Sequence, residues 1–418
     1  MLTMCLAFVA AVATQDSLPP AARRVLADLR ILAADSLQGR GVGTRGLDYA
    51  AGYVARELAR AGFRPGASDG TFFQRFTIPP DAPAVMHTPL GGVAVRNVIG
   101  VLLGASPALR SEVVVVGAHY DHLGLGGFGS RDPDSTGRVH NGADDNASGT
   151  TALLEIARQL GQRRPARTIV LIAFTAEEIG TIGSTYYVRN ATPQPIDSVY
   201  AMLNLDMVGR MRENRLVAFG AATATEFSGL LDSLNRVGDK PRFDLRASGD
   251  GWGASDHASF YAAKRPVLHF FTDLHDDYHR PTDDWEKIDV EGVARIAGYV
   301  ADAAWALANR PGSLTFVDVP APQPAAGGGG YGAYLGTIPD MTESPGGVRI
   351  SGVRSASPAE QAGLKGGDII TGIGDKKVAN LFDMTEALRA HRPGDTVAIT
   401  VKRDGMDVRV TAVLGRRG

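Results

Sequence analysis

Cysteine is all but missing: Cys5 is the only thiol in 418 residues, so an internal disulfide is excluded and any metal ligands must come from His and carboxylate side chains. A basic excess is missing as well. Lys+Arg 43 against Asp+Glu 45 leaves a net charge of -2, with no surplus to neutralise phosphates, which argues against a nucleic-acid partner. Apolar runs long enough to span a bilayer are absent, and no stable membrane insertion is expected. The short apolar stretch Leu2–Ala13, with Ala11-Val12-Ala13 ahead of polar Thr14-Gln15-Asp16, reads as a signal peptide over residues 1–15 even though it lacks the usual basic opening. It predicts an exported protein, periplasmic or secreted.

The length exceeds a single typical core, so two domains are expected. An amphipathic helix is predicted over 21–37, with Val25, Leu29 and Leu32 at helical spacing. Gly41, Gly43 and Gly46 then spell G-x-G-x-x-G, but a helix rather than a strand precedes them, so a tight turn feeding a helix over 48–61 is expected and not a dinucleotide site. Residues 97–104 read as a strand at the sheet edge. Four consecutive valines, Val113 to Val116, read as a strand buried on both faces that ends at His119 and Asp121. A glycine-rich loop follows, then Asp144-Asp145-Asn146 and a helix over 148–160.

Further buried strands are predicted at 168–174, 199–205 and 266–271, and a helix over 290–309 closes the domain. Alternating strands, polar clusters and helices argue an α/β fold of three layers, α/β/α, with a mostly parallel central sheet, spanning residues 20–310. The Pro- and Gly-rich stretch 311–330 reads as a linker, and 331–418 as a small domain of strands with one clear helix at 383–390.

In a parallel sheet, ligands sit outside the carboxyl ends of the strands. Here those ends carry His119, Glu177 with Glu178, Asp206 and, beyond the last strand, His279, while Asp145 joins from a loop. Two histidines and several carboxylates suit zinc or a similar ion, and the set is too rich in carboxylates for one catalytic zinc. Two ions sharing a carboxylate, about 3.5 to 4 Å apart, fit better. A bridging hydroxide would cancel the one positive charge that three carboxylates leave on two divalent ions. Ser255, Asp256 and His257 are adjacent, so their side chains diverge and do not make a serine-hydrolase triad. Trp285, Tyr278 and His275 are candidates for the rim of the site or for packing.

H-Y-D at 119–121, A-D-D-N-A-S-G at 143–149, Glu177-Glu178, L-D-M-V-G at 205–209, S-D-H at 255–257 and Y-H-R-P-T-D at 278–283 occur in one order that resembles the co-catalytic di-zinc aminopeptidases of the bacterial leucyl-aminopeptidase type. The resemblance implies two Zn2+ bridged by Asp145, with His119 and Asp206 on one ion and Glu178 and His279 on the other. It implies Glu177 as general base, Asp121 as the residue orienting His119, and a cis peptide after Asp145. The implied substrates are peptides with a free N-terminus; a dipeptidase, a carboxypeptidase and a binding protein with a vestigial metal site are the alternatives.

The last part resembles bacterial PDZ domains, through Tyr334-Leu335-Gly336 where the carboxylate-binding loop stands, G-V-R-I-S-G-V at 347–353, S-P-A-E-Q-A-G-L at 357–364, G-D-I-I at 367–370 and the run 392–405. That resemblance implies capture of a C-terminal peptide. Thr337 departs from it, because a bulky apolar residue is more usual there.

Overall fold

The computed structural model describes residues 18–82, 88–318, 333–339, 346–354, 357–379, 383–384, 387–388 and 390–415. The expected signal peptide lies outside them, and so does part of the helix expected at 383–390. The chain divides into two compact units, 1–319 and 320–418.

The first unit is built on a nine-stranded sheet. Its strands in chain order are β1 (Arg64–Pro65), β2 (Phe73–Thr77), β3 (Ala94–Leu102), β4 (Val113–His119), β5 (Thr168–Phe174), β6 (Val199–Leu205) and β7 (Arg215–Phe219). After a separate two-stranded ribbon, β8 (Arg236–Val237) and β9 (Lys240–Pro241), come β10 (Asp244–Ser248) and β11 (Val267–Phe271). The spatial order is β1-β3-β5-β4-β6-β11-β7-β10, with β2 also on β3. The central strands β5, β4, β6 and β11 run parallel, as expected. Antiparallel pairings flank them at β3–β5 and β11–β7.

The helices are α1 (Pro20–Leu32), α2 (Arg45–Arg60), α3 (Gly149–Leu160), α4 (Ile182–Arg189), α5 (Phe227–Leu234), α6 (His257–Ala262) and α7 (Val290–Asn309). The valine run shows how the layers form. Val114 and Val116 pack into the core shared with α1, α2, α3, α5 and α7, whereas Val113 and Val115 pack into the core shared with α4 and α6. A period of two thus hands alternate side chains to opposite helical layers, and every residue of β4 is buried.

Several expectations need correction. α1 stops at Leu32 rather than residue 37, because Gln38, Gly39 and Arg40 adopt left-handed backbone (φ 48, 61 and 47) inside a short 3-10 segment, Asp35–Arg40. α2 begins at Arg45 rather than 48, where the Thr44 hydroxyl accepts a hydrogen bond from the Leu47 amide (3.3 Å). β3 is not an edge strand: β1 and β2 pair on one side of it and β5 on the other. β7 and β10 were not foreseen. Residues 315 and 317, expected in the linker, are instead tied to the first unit: Thr315 bonds the Glu226 carboxylate (3.0 Å) and Val317 bonds Thr223 and Tyr261 (2.9 and 3.0 Å). Among the described residues no helix is long and apolar enough to cross a membrane.

The second unit is a six-stranded sheet with its own apolar core around Leu335, Ile350, Ile370 and Ile399. Its strands are β12 (Thr337–Pro339), β13 (Val348–Val353), β14 (Ile369–Ile373), β15 (Lys376–Lys377), β16 (Thr396–Arg403) and β17 (Met406–Val413), with α8 (Pro358–Gln361) after β13. Tyr334, Leu335 and Gly336 lead directly into the edge strand β12. The Leu335 carbonyl accepts from the Ala359 amide and the Gly336 carbonyl from the Arg354 amide, both at 2.8 Å.

Candidate metal centre

Because β4, β5 and β6 are parallel, their carboxyl ends open on one edge. His119 pairs with Phe174 in register, so Glu177 and Glu178 lie just past the same level. Asp206 follows β6 by one residue. Ala176, Met207 and His279 all take left-handed backbone (φ 57, 52 and 57), so non-glycine residues beside or within the donor set carry local strain. Strain of this kind, about 1–3 kcal/mol per residue, persists where surrounding structure enforces it and collects at functional sites.

The structure brings all five expected ligands together. His119 Nε2 lies 3.2 Å from Asp145 Oδ1 and 3.3 Å from Asp206 Oδ1. His279 Nε2 lies 3.0 Å from Asp145 Oδ2 and 3.1 Å from Glu178 Oε2. The two oxygens of Asp145 therefore face two different donor groups. Tetrahedral zinc bonds of about 2.0–2.1 Å place neighbouring donor atoms about 3.3 Å apart, so these separations and this thiol-free donor set fit zinc. Each histidine directs its other nitrogen at a carbonyl oxygen, His119 Nδ1 at Asp121 (3.2 Å) and His279 Nδ1 at Gly129 (2.8 Å), which leaves both Nε2 lone pairs for an ion.

The supporting contacts explain why the sequence motifs travel together. Asn146 Nδ2 donates to the Leu205 carbonyl (2.9 Å), the Val208 amide to Ser148 Oγ (3.0 Å) and the Gly209 amide to Asp144 Oδ1 (2.6 Å). These bonds lace 143–149 to 205–209 and carry Asp145 to Asp206. Asp283 Oδ2 accepts the amides of Asp144 and Asp145 (2.9 and 3.1 Å), and His275 Nε2 meets Asp144 Oδ2 (3.1 Å). Ser255 Oγ donates to Asp206 Oδ2 (2.8 Å), leaving Oδ1 to face His119. The peptide Asp145–Asn146 is cis.

Glu177 and Glu178 are neighbours with opposite electrostatics. Burial and the like charges of Glu178, Asp206 and Asp256 hold the Glu177 carboxyl well above the usual range despite His119. Burial also opposes charge on Glu178, but His279 and His122 outweigh it and bring its pKa down to about 2. Carboxyl groups whose environments push them apart in this way are candidates for acid–base work. Glu177 Oε2 stands 4.0 Å from His119 Nε2, outside the donor spacing. Asp121 faces both His119 and Glu177. Its carboxylate lies 3.8 Å from His119 Nδ1, farther than its own carbonyl, while its Oδ1 accepts the Glu177 amide (3.2 Å).

The parts played by three further residues were not foreseen. His122 Nδ1 lies 2.5 Å from Glu178 Oε1, and Asp283 and Asp144 brace the segment that carries Asp145. Arg40 is the fourth surprise in the same region: fully buried, it donates to the carbonyls of Tyr120, Leu32, Asn141 and Gly142 at 2.6–2.9 Å, tying both ligand loops to the Gly39–Gly43 segment. A Cβ on Gly39 would stand 2.2 Å from the His140 carbonyl, so the glycine run serves close backbone approach. The Tyr278 ring lies tilted against His279 (centroids 3.8 Å apart, planes at 33°), whereas Trp285 packs under Arg30.

Residues 97–304 match the model of peptidase family M28, and 333–414 match the PDZ domain. The chain carries an M28 peptidase domain followed by a PDZ domain. Aminopeptidase YwaD of Bacillus subtilis is 29% identical over 216 residues, half of this chain and 44% of that one. Leucine aminopeptidase 1 of Trichophyton rubrum is 33% identical over 233 residues, half of this chain and 58% of that one. The chain thus spans about half the length of these relatives. A Zn-dependent exopeptidase from Parabacteroides distasonis shares the fold (TM-score 0.56, 23% identity) over 68% of this chain and 97% of that one. So does a glutaminyl cyclase from Tannerella forsythia (TM-score 0.55, 21% identity), over 68% and 98%. The M28 fold alone therefore does not choose the reaction.

Proposed function

We propose that the chain is an aminopeptidase holding two zinc ions, one between His119, Asp145 and Asp206 and the other between Asp145, Glu178 and His279. The observation that carries this is the bridging position of Asp145, whose two oxygens meet His119 and His279 separately at 3.2 and 3.0 Å. Zinc held there would polarise the scissile carbonyl and acidify water.

The protein's own residues would do the rest. Glu177 takes a proton from the attacking water and returns it to the leaving amine as the C–N bond breaks. Its position is set through its main chain, by Asp121, so the carboxylate stays free to move the proton. The sequence relatives named aminopeptidases support action at the N-terminal end of a peptide.

A panel of peptides blocked at one end tests it. Cleavage should require a free N-terminus and tolerate a C-terminal amide. Cleavage of N-acetylated peptides but not of C-amidated ones would move the activity to a carboxypeptidase, and cyclisation of N-terminal glutamine without chain cleavage would replace peptidase chemistry altogether.

For the PDZ domain the proposed ligand is a peptide C-terminus, added as a strand beside β12 with its carboxylate at the amides of residues 335–337. Binding of fluorescent peptides to full-length Glu177→Gln protein should be lost when the C-terminus is amidated.

A further inference from the structure

Two imidazoles, His279 and His122, stand against the carboxylate of Glu178, and His122 with Asp145 and Glu178 has the spacing of a donor set in its own right. His122 is buried, with Nδ1 2.5 Å from Glu178 Oε1 and 3.9 Å from Asp145 Oδ2. Its ring crosses that of His279 at 73°, with centroids 5.7 Å apart. The seat is fixed from behind: the His122 amide meets the Arg40 carbonyl (3.3 Å), and a Cβ on Gly142 would come within 2.4 Å of the imidazole carbons.

The two rings differ in what holds the far nitrogen. His279 has a carbonyl acceptor on Nδ1, which secures the tautomer that offers Nε2 as a lone pair. Among the described residues His122 has no such acceptor: its far nitrogen, Nε2, is buried with no hydrogen-bond partner there. An N–H placed there would be a buried unsatisfied donor, so the proton belongs on Nδ1, where a carboxylate oxygen receives it. A nitrogen that carries a proton cannot ligate an ion.

We infer that His122 is a positioning residue: its Nδ1–H binds Glu178 Oε1, turns the carboxylate and leaves Oε2 as the single oxygen facing His279 and the ion. The inference rests on the two-zinc reading and assigns His122 a part in only one of the two groups. The close pairs that His119 makes with Asp145 and Asp206, at 3.2 and 3.3 Å, do not include it.

The test is stepwise zinc uptake by the metal-free full-length chain, measured by equilibrium dialysis alongside its thermal unfolding. His122→Leu fills the space without a donor, whereas His122→Asn places an amide N–H where Nδ1 stood. In His122→Leu one equivalent should bind as in the native chain and the other 10–100-fold more weakly, the usual cost of losing a residue that orients a ligand. His122→Asn should retain both equivalents within a few-fold, and it remains informative if the leucine variant fails to fold. Undiminished binding of both equivalents by His122→Leu would overturn the inference. So would an asparagine variant as defective as the leucine variant, since that would make the imidazole itself a ligand. Native protein that takes up a single equivalent would instead defeat the two-zinc reading.

Discussion

Replacing Glu177 by glutamine separates proton transfer from metal binding more cleanly than any other single change. Glu177 Oε2 is 4.0 Å from His119 Nε2, whereas the donor atoms lie 3.0–3.3 Å from the histidine nitrogens, so an amide at 177 should leave zinc uptake intact. The Glu177 main chain, held by Asp121 Oδ1 at 3.2 Å, is also untouched. What disappears is a carboxylate able to take the proton of water. General-base transfer is worth about 10²–10⁴ in rate, or about 3–5 kcal/mol of barrier. Steady-state hydrolysis of an aminoacyl anilide should show kcat reduced by that factor, KM within a few-fold and zinc content unchanged. A kcat within tenfold of the native value would refute the assignment, and loss of zinc would show that Glu177 is a ligand.

Asp283→Ala removes the acceptor of two buried amides and should destabilise the metal-free chain by about 2–5 kcal/mol in urea unfolding, with Asp283→Asn recovering most of it. Arg40→Met strips donors from four buried carbonyls and should cost at least about 3 kcal/mol in the same assay, with weaker uptake of zinc because both ligand loops lose their common anchor. His257 is buried and its pKa falls from 6.5 to about 3. The unfolded chain therefore gains the proton first as pH drops, and stability present above pH 6.5 is lost progressively toward pH 3, by about 2 kcal/mol at pH 5. His257→Phe should flatten that part of the stability–pH curve; an unchanged slope would mean His257 does not contribute to it.

The parts of the fold legible beforehand were those with an unbroken pattern. Val113–Val116 and the runs 168–174 and 199–205 are apolar except for Thr168 and Asn204 and are buried throughout, as strands covered on both faces must be, and polar site residues follow where each run ends. β7 and β10 escaped notice because five-residue strands carry little periodicity, and the position of β3 depends on pairing that no local pattern encodes. At the site, the ordered motifs conveyed which residues the fold brings together, since each sits at a strand end or in a short turn. His122 lies in the same run as His119, but beyond the strand, in a glycine-rich loop without a period to fix its direction. Arg40 was hidden for a different reason. Its burial follows from left-handed backbone at residues 38–40, which composition reads only as a turn.

The bridging role of Asp145 is tested most directly by anomalous diffraction at the zinc edge from zinc-loaded crystals. Two peaks about 3.5–4 Å apart, one beside each Asp145 oxygen, are expected. A single peak, or two that do not share Asp145, would contradict the account.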